Sequence, residues 1–232
     1  MSTVRGARER ARIEVTAAIK DEARRRLAEE GAAKLSLRAV ARELGMVSSA
    51  LYRYFPSRDD LLTALIIDAY DSVGAAAEAA GAAALAAGEP PRARWAAVCG
   101  AFRAWALAHP HEYALIYGSP VPGYSAPQDT IGPASRVANV LIGVVRSAHE
   151  GRGLALPPLP AELRAEAERM TADFALELPP EVTAALVAAW AQVVGLVSFE
   201  LFGQFNRVVE GRDAFFAHSA GQLAHAVGLP VL

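Results

Sequence analysis

Glycine and proline clusters divide this 232-residue sequence into segments with helical periodicity. Alanine, the strongest helix former, recurs throughout, and Val, Ile, Thr and aromatic residues rarely alternate with polar residues as they do in strands. Apolar residues repeat at helical spacing instead, as Ile19, Ala23 and Leu27 do. The pattern therefore predicts an all-α fold of about nine to ten helices.

The same punctuation predicts where the helices begin and end. Gly31, Gly45 and Pro56 end the first three, and proline-containing breaks near residues 89–91, 109–110, 118–127 and 154–160 separate the later ones. The fourth helix is expected to fade in the Ala/Gly tract 74–88, because glycine is unfavourable inside a helix. The predicted helices are 7–30, 36–45, 48–55, 57–74, 92–108, 110–117, 130–149, 161–177, 180–206 and 212–227.

Composition excludes a disordered chain and a disulfide scaffold. The sequence is 53% hydrophobic, its net charge is only -2, and Cys99 is its single cysteine, which we expect to be packed in the core. The charge is nevertheless segregated. Residues 1–60 hold 13 Lys and Arg against 9 Asp and Glu, a net of +4, and the remaining residues hold 10 against 16, a net of -6. A basic N-terminal region suits a polyanion partner, although an exposed arginine-rich helix face would give the same count.

Neither a secretory signal nor a membrane span is expected. The arginine-rich N-terminus is not followed by an apolar segment of signal-peptide type. The most apolar stretch, residues 186–203, is interrupted by Gln192 and Glu200 and is interpreted as a buried helix. We therefore expect a cytoplasmic protein with no membrane partner.

Residues 35–55, LSLRAVARELGMVSSALYRYF, predict two short helices joined by a turn at Gly45, which is a helix-turn-helix. Glycine permits the positive φ of a sharp turn, and Ala41 is small where the second helix must cross closely. On a helical wheel, Val47, Leu51 and Phe55 share one side, and the opposite side carries Ser49, Tyr52 and Arg53. Hydroxyl and guanidinium groups on such a face suit the major groove of DNA, although any surface hairpin can carry them.

The order of these residues resembles the N-terminal DNA-binding domain of TetR-family transcriptional regulators over residues 13–66. The resemblance rests on Leu44-Gly45, on Leu51-Tyr52-Arg53-Tyr54-Phe55, and on Ser57-Arg58 followed by Leu61-Leu62. It implies a three-helix DNA-binding domain at residues 1–66 and a larger helical ligand-binding and dimerisation domain at 67–232. The implied function is a dimeric repressor that a small-molecule effector releases from a palindromic double-stranded operator. A regulator without an effector, an activator and an all-α enzyme are the alternatives, and no catalytic constellation favours the last.

The resemblance also implies which residues meet DNA. They lie at the start of the second helix, along the recognition helix and at the start of the fourth: Leu37, Arg38, Ser48, Ser49, Ala50, Tyr52, Arg53, Tyr54 and Arg58. Two positions depart from the family pattern. Tyr54 stands where His is frequent, and Val47 stands where Ser is frequent, so we expect Ser48 to cap the recognition helix. An arginine-rich arm, Arg5, Arg8, Arg10 and Arg12, is interpreted either as a further DNA contact or as surface charge.

For the rest of the chain the resemblance implies a dimer built by the last two long helices. The apolar stretch 184–205 supports this modestly, and a monomer core is the alternative. The residues assigned to the interface are Ala189, Gly195, Leu196, Phe199, Phe216 and Leu223.

An aromatic cluster around residues 101–124 resembles the C-terminal domain of a TetR subset named for a Trp-His-Gly signature. It suggests an effector pocket for an apolar or neutral molecule, although these side chains equally suit an ordinary core. The pocket residues are Phe102, Trp105, Tyr113, Tyr117, Tyr124 and Trp190. No metal site or cofactor is expected, because the spacing of His109 and His111 does not place both rings on one helical face.

Overall fold

The protein is described by a computed structural model that covers residues 2–151, 153–174 and 176–230, with side chains from residue 6 onward. Across these residues the chain forms ten α-helices and two 3₁₀ helices, Ala32–Lys34 and Gln128–Thr130, with no strand. The all-α prediction is confirmed. The helices are α1 Ser2–Glu30, α2 Leu37–Glu43, α3 Ser48–Leu51, α4 Arg58–Ala86, α5 Pro91–Ala108, α6 Pro110–Tyr117, α7 Ile131–Glu150, α8 Ala161–Asp173, α9 Pro180–Leu201 and α10 Arg212–Ala226.

Most predicted boundaries lie within a few residues of the observed ones, but the expected end of α4 is wrong. The helix continues through the Ala/Gly tract to Ala86. Its glycines are explained by packing: a Cβ at Gly74 would lie 2.7 Å from the Cβ of Arg136, and one at Gly81 would lie 2.9 Å from a methyl of Val140. Glycine at these two positions lets α7 approach α4 closely, which the alanine-rich sequence does not reveal.

Other differences concern helix ends. The first helix begins at Ser2, so the arginine-rich arm is helical: Arg8, Arg10 and Arg12 lie on its exposed turns, and the side chain of Arg5 is outside the described residues. Helix α9 ends at Leu201, before the predicted residue 206. The chain then turns through Gly203, whose φ of 84° belongs to the left-handed region.

The chain divides into two compact units. The N-terminal unit comprises residues 1–70 and 109–133, and the C-terminal unit comprises residues 71–108 and 134–232. Residues 109–133, which hold α6 and the proline-rich loop after it, thus cluster with the N-terminal unit. The sequence prediction placed this segment in the larger domain at residues 67–232.

The N-terminal unit has a continuous apolar core. Leucines of α4 and the helix-turn-helix pack on α1, and residues of α6 and the following loop cover them. An ionic network joins α1 to α2: Arg25 and Arg26 both bond the buried carboxylate of Glu22 and both approach Glu43. Hydrogen bonds from these guanidinium groups lower the pKa of Glu22. The core residues are Ile19, Ala23, Leu27, Leu35, Leu37, Val40, Ala41, Leu51, Phe55, Leu61, Leu62 and Leu65, with Leu115, Val121 and Tyr124 packed against them.

In the C-terminal unit α5 holds α9 and α10 in place through polar as well as apolar contacts. The indole N–H of buried Trp95 donates to the carbonyl oxygen of Ala220 at 3.1 Å. The guanidinium of Arg103 donates two hydrogen bonds of 2.7 Å to the buried carboxylate of Glu200 in α9. It also pairs with Asp213 in the first turn of α10 and lies over the ring of Phe216. This ion pair at the end of α9 could not be located from the sequence.

Among the described residues, α9 is the one helix that is long and apolar enough to cross a membrane by length and composition. One of its faces is buried within the C-terminal unit and carries Val193, Val197 and the paired carboxylate of Glu200. The opposite face is apolar and exposed at Val187 and Phe199.

Candidate nucleic-acid interface

The helix-turn-helix forms as the residue pattern predicts. Gly45 adopts a φ of 64°, and the N–H of Met46 then bonds the carbonyl oxygen of Ala41 at 2.8 Å. Ala41 is fully buried in the core of the N-terminal unit. The glycine turn is confirmed, and the small residue is buried.

The recognition helix is shorter than predicted. Helix α3 ends at Leu51, and 3₁₀-type bonds of Arg53 N–H to Ala50 and of Tyr54 N–H to Leu51 tighten the last turn. Pro56 explains the tightening, because proline disfavours helical geometry in the residue before it. The turn keeps Leu51 in the core and leaves the predicted polar residues Ser49, Tyr52 and Arg53 exposed.

Val47 was predicted to lie on the buried side of the recognition helix, and this is wrong. Its side chain is 70% exposed. Val47 is the N-cap residue, with extended backbone angles of φ −69° and ψ 137°, so the 100° rotation of a helical wheel does not apply to it. Ser48, which was expected to cap the helix, is its first helical residue, and no side chain caps this end.

A cleft of about 510 Å³ lies beside the recognition helix. Arg38 from α2 and Tyr52, which is 41% exposed, contribute a guanidinium and a phenol. Ser36 adds a hydroxyl group that was not among the predicted DNA contacts, and Ser57 also lines the cleft. Hydrogen-bond donors of these types are those that hold DNA phosphates. The other lining residues are Leu35, Leu37, Pro56 and Arg58.

Three residues assigned to DNA contact have structural roles in this fold. Leu37 is only 5% exposed, so its side chain belongs to the core and is not available to DNA. Tyr54 is half-buried against the same core. The guanidinium of Arg58 donates to the carbonyl oxygens of Ala32 at 2.9 Å and Leu35 at 3.2 Å, which fastens α4 to the 3₁₀ helix. Sequence resemblance aligns such residues but does not distinguish a ligand contact from a backbone contact.

Helix α4 begins with a side-chain cap. The N–H of Asp60 donates to the hydroxyl of Ser57 at 3.1 Å, and that hydroxyl donates back to the Asp60 carboxylate at 2.7 Å. Asp59 and Asp60 also lie in the first turn, where the helix dipole favours negative charge. The cap holds the start of α4 beside the cleft.

The aromatic residues predicted to line an effector pocket fall into two sets. Phe102 and Trp105 are buried in the C-terminal unit, where Phe102 contacts the ring of Trp190 with centroids 5.2 Å apart. The other set, Tyr113, Tyr117 and Tyr124, belongs to the N-terminal unit.

Within the N-terminal unit these tyrosines contact each other and α4. The rings of Tyr113 and Tyr117 lie 5.1 Å apart, and the hydroxyl groups of Tyr124 and Thr63 are 2.9 Å apart. Burial raises the pKa of Tyr117 well above its ordinary value, because a phenolate would lose its hydration there. Tyr124 thus links the loop after α6 to α4.

The six residues assigned to the dimer surface also divide. Ala189, Phe216 and Leu223 are buried within their own unit and present little surface, although Leu223 borders the groove described next. Phe199 is 52% exposed and lines a groove between α9 and α10, together with Gly195 and Leu196. The remaining lining residues are Ala191, Gln192, Phe205, Phe215, His218, Ser219, Gln222 and Leu223.

Comparison with known proteins agrees with this architecture. A family profile described as "Bacterial regulatory proteins, tetR family" matches residues 19–65, and one described as "Tetracyclin repressor-like, C-terminal domain" matches residues 95–223. The HTH-type transcriptional regulator Rv1816 of Mycobacterium tuberculosis is 39% identical over 208 residues, which cover 87% of this chain and 86% of that protein.

Solved structures agree as well. The crystal structure of the regulatory protein SCO4313 is 34% identical, with a TM-score of 0.78 over 94% of this chain and 98% of that one. The TetR-family regulator PfmR of Thermus thermophilus, 17% identical, shares the fold with a TM-score of 0.58 over 92% of this chain and 99% of its own. The chain therefore belongs to the TetR family and is a helix-turn-helix, DNA-binding transcriptional regulator.

Proposed function

We propose that this regulator is a dimeric repressor that binds a palindromic operator and leaves it when a small apolar or neutral molecule binds. The observation that carries the proposal is the recognition turn, in which Ser49, Tyr52 and Arg53 are exposed beside the donor-lined cleft. The proposed role is binding without catalysis, in the cytoplasm.

On the DNA side, the proposal separates residues that select a sequence from residues that hold the backbone. Ser48, Ser49, Ala50 and Arg53 lie at the recognition helix and face base edges, where hydroxyl and guanidinium groups read sequence. Arg38 and Tyr52, with Ser36, hold a phosphate in the cleft. Leu37 and Tyr54 pack in the core beneath these residues, and Arg58 holds the neighbouring backbone in place.

Dimerisation is supported by the exposed apolar surface of α9 and α10. On α9, Val187 is 50% exposed and Phe199 is 52% exposed. Phe202, which follows α9, and Phe215 of α10 are exposed as well. Large apolar side chains in one patch are characteristic of an interface. A second copy of the chain is the occupant we propose, because a twofold dimer presents two recognition helices to the two halves of a palindrome.

The effector is proposed to contact the aromatic residues of the C-terminal unit, Phe102, Trp105 and Trp190. Tyr113, Tyr117 and Tyr124 belong to the N-terminal unit and are not part of the proposed site. Apolar walls with a few polar groups such as an indole N–H suit small molecules of low charge. One protein of the same fold, a TetR variant of Acinetobacter baumannii that is 19% identical, was crystallised with minocycline. Release of DNA then requires only that the effector bind the two arrangements of the recognition helices with different affinity.

The DNA assignment is tested by selection from randomised duplexes followed by salt titration of the selected site. Arg53→Ala should change the preferred sequence, whereas Tyr52→Phe should weaken binding to every sequence by a similar factor. Arg146→Ala, at an exposed position of α7, is the matched control for loss of a charge and should change neither. The assignment fails if Arg53→Ala and Tyr52→Phe both behave like the control.

The dimer assignment is tested by sedimentation in detergent-free buffer. Phe199→Glu places like charges on both sides of the proposed interface and should yield a monomer, while Leu163→Glu, at a comparably exposed position of α8, should remain a dimer. A wild-type monomer at micromolar concentration would contradict the proposal. Association of that monomer with lipid vesicles would assign the α9 surface to a membrane instead.

Effector release is tested with the selected duplex and a panel of lipophilic compounds. A compound that dissociates wild-type protein from DNA should lose potency in Trp190→Ala, and Leu163→Ala serves as the control. A reporter downstream of the selected site should be silenced by the protein. Activation of the reporter would overturn the assignment as a repressor.

A further inference from the structure

Val47, at the start of the recognition helix, is a residue type that is unusual at a helix N-cap. Val47 is the N-cap residue of α3, yet valine has no group that can bond the free N–H groups of the first turn. It is also a branched apolar side chain that is 70% exposed, next to the exposed Ser49. With valine at residue 47, the helix therefore lacks a side-chain cap, and an apolar side chain is exposed to water.

The neighbouring residues define what this surface can meet. Residues at the N-terminal end of a recognition helix are those that reach base edges in the major groove. Ser48 and Ser49 offer hydroxyl groups there, whereas Val47 offers only methyl groups, which bond neither a phosphate nor a base nitrogen or oxygen. The apolar group that base edges present in the major groove is the C5 methyl of thymine.

We infer that Val47 is a specificity-determining residue that contacts a thymine methyl group in each half of the operator. The inference rests on the proposed placement of the recognition helix in the major groove. Each half-site should then contain one position where thymine is preferred for its methyl group rather than for its hydrogen-bonding atoms. Burial of one methyl group between protein and DNA corresponds to about a fourfold change in affinity.

The experiment removes the methyl group from the DNA and the valine from the protein. Each thymine of the selected duplex is replaced in turn by uracil, which differs only in lacking the C5 methyl. Wild-type protein should lose about fourfold in affinity at one position of each half-site. Val47→Ser should bind the thymine and uracil duplexes equally, and Val47→Ile should keep the discrimination.

Folding is controlled within the same series. Serine restores a hydroxyl at the N-cap, so the melting temperature of Val47→Ser should equal or exceed that of the wild type. Loss of discrimination is then not a consequence of unfolding.

The outcomes distinguish a wrong role for Val47 from a wrong placement of the recognition helix. If Arg53→Ala changes the selected sequence but wild-type protein tolerates uracil everywhere, Val47 does not read a methyl group. Discrimination that persists in Val47→Ser overturns the inference equally, because another residue then makes the contact. If Arg53→Ala and Val47→Ser both leave sequence preference unchanged, the recognition helix itself is misplaced.

Discussion

The helix-turn-helix and α9 differ in how far their residue patterns reveal which side chains are buried. In the helix-turn-helix, polar and apolar residues alternate at helical spacing, and Leu51 and Phe55 are buried as predicted while Arg53 is exposed. In α9 nearly every residue is apolar. Val187 and Ala189, two residues apart, lie on opposite faces, and the larger side chain, Val187, is the exposed one. A pattern identifies a buried face only when the two faces differ in chemistry.

The two regions also differ in where their charges act. The exposed charge of Arg53 in the recognition turn is available to a partner, whereas Arg103 and Glu200 are paired inside the C-terminal unit. The same residue types therefore have different energetic roles. Variants of the two kinds of charge should therefore differ in how much stability they cost.

Arg103→Met should cause the largest loss of stability. It leaves the buried carboxylate of Glu200 without its guanidinium partner, and breaking a buried pair in this way costs about 3–5 kcal/mol of unfolding free energy. Arg53→Ala, at an exposed site, should change stability by about 0.5 kcal/mol or less. Denaturant unfolding measures both.

The control for Arg103→Met is the double variant with Glu200→Gln. Removing the charge from both partners should recover part of the lost stability, because the unpaired buried charge is the main cost. If the single and double variants are equally unstable, packing rather than charge explains the role of Arg103.

Gly74→Ala should destabilise by about 1–3 kcal/mol, because the new Cβ overlaps the Cβ of Arg136 and α7 must shift. Gly100→Ala is the matched helical control. No heavy atom of a neighbouring element lies within 4 Å of its new Cβ, so it should stabilise by up to about 1 kcal/mol through helix propensity alone. Thermal unfolding of both variants would show opposite signs; equal signs would contradict close packing as the reason for Gly74.

Arg58→Ala should lower the stability of the protein by about 1–2 kcal/mol, because the carbonyl oxygens of Ala32 and Leu35 lose a charged donor. It should leave the salt dependence of DNA binding nearly unchanged. Arg38→Ala should do the reverse and reduce the slope of log K against log salt by about 1, the effect of one lost phosphate contact. A reduced slope in Arg58→Ala would restore this residue to the DNA interface.

Chemical modification of Cys99 should have the smallest effect on the folded protein. Burial raises the pKa of its thiol to about 12, so the reactive thiolate is nearly absent at pH 8. A thiol reagent should label Cys99 only after denaturant is added. Rapid labelling of the native protein would indicate that this part of α5 opens readily.

Much of the site could be predicted because its local pattern carries the information. Gly45 has the positive φ expected from its place after a short amphipathic helix, and Leu51 is buried and Arg53 exposed as the helical spacing predicts. Val47 could not be placed correctly, because a helical wheel presumes helical backbone angles and an N-cap residue lacks them. Arg58 could not be placed either, since its carbonyl partners come from a segment more than twenty residues earlier.

The sequence by itself determined the all-α fold, the helix-turn-helix and the exposed recognition residues, because each depends on periodicity and turn chemistry within a few residues. The tertiary structure alone decided which face of α9 is exposed, that Arg103 pairs with Glu200, and that residues 109–133 cluster with the N-terminal unit. Those features depend on contacts between segments distant in the chain, and an alanine-rich helix fits many neighbours equally well until packing selects one.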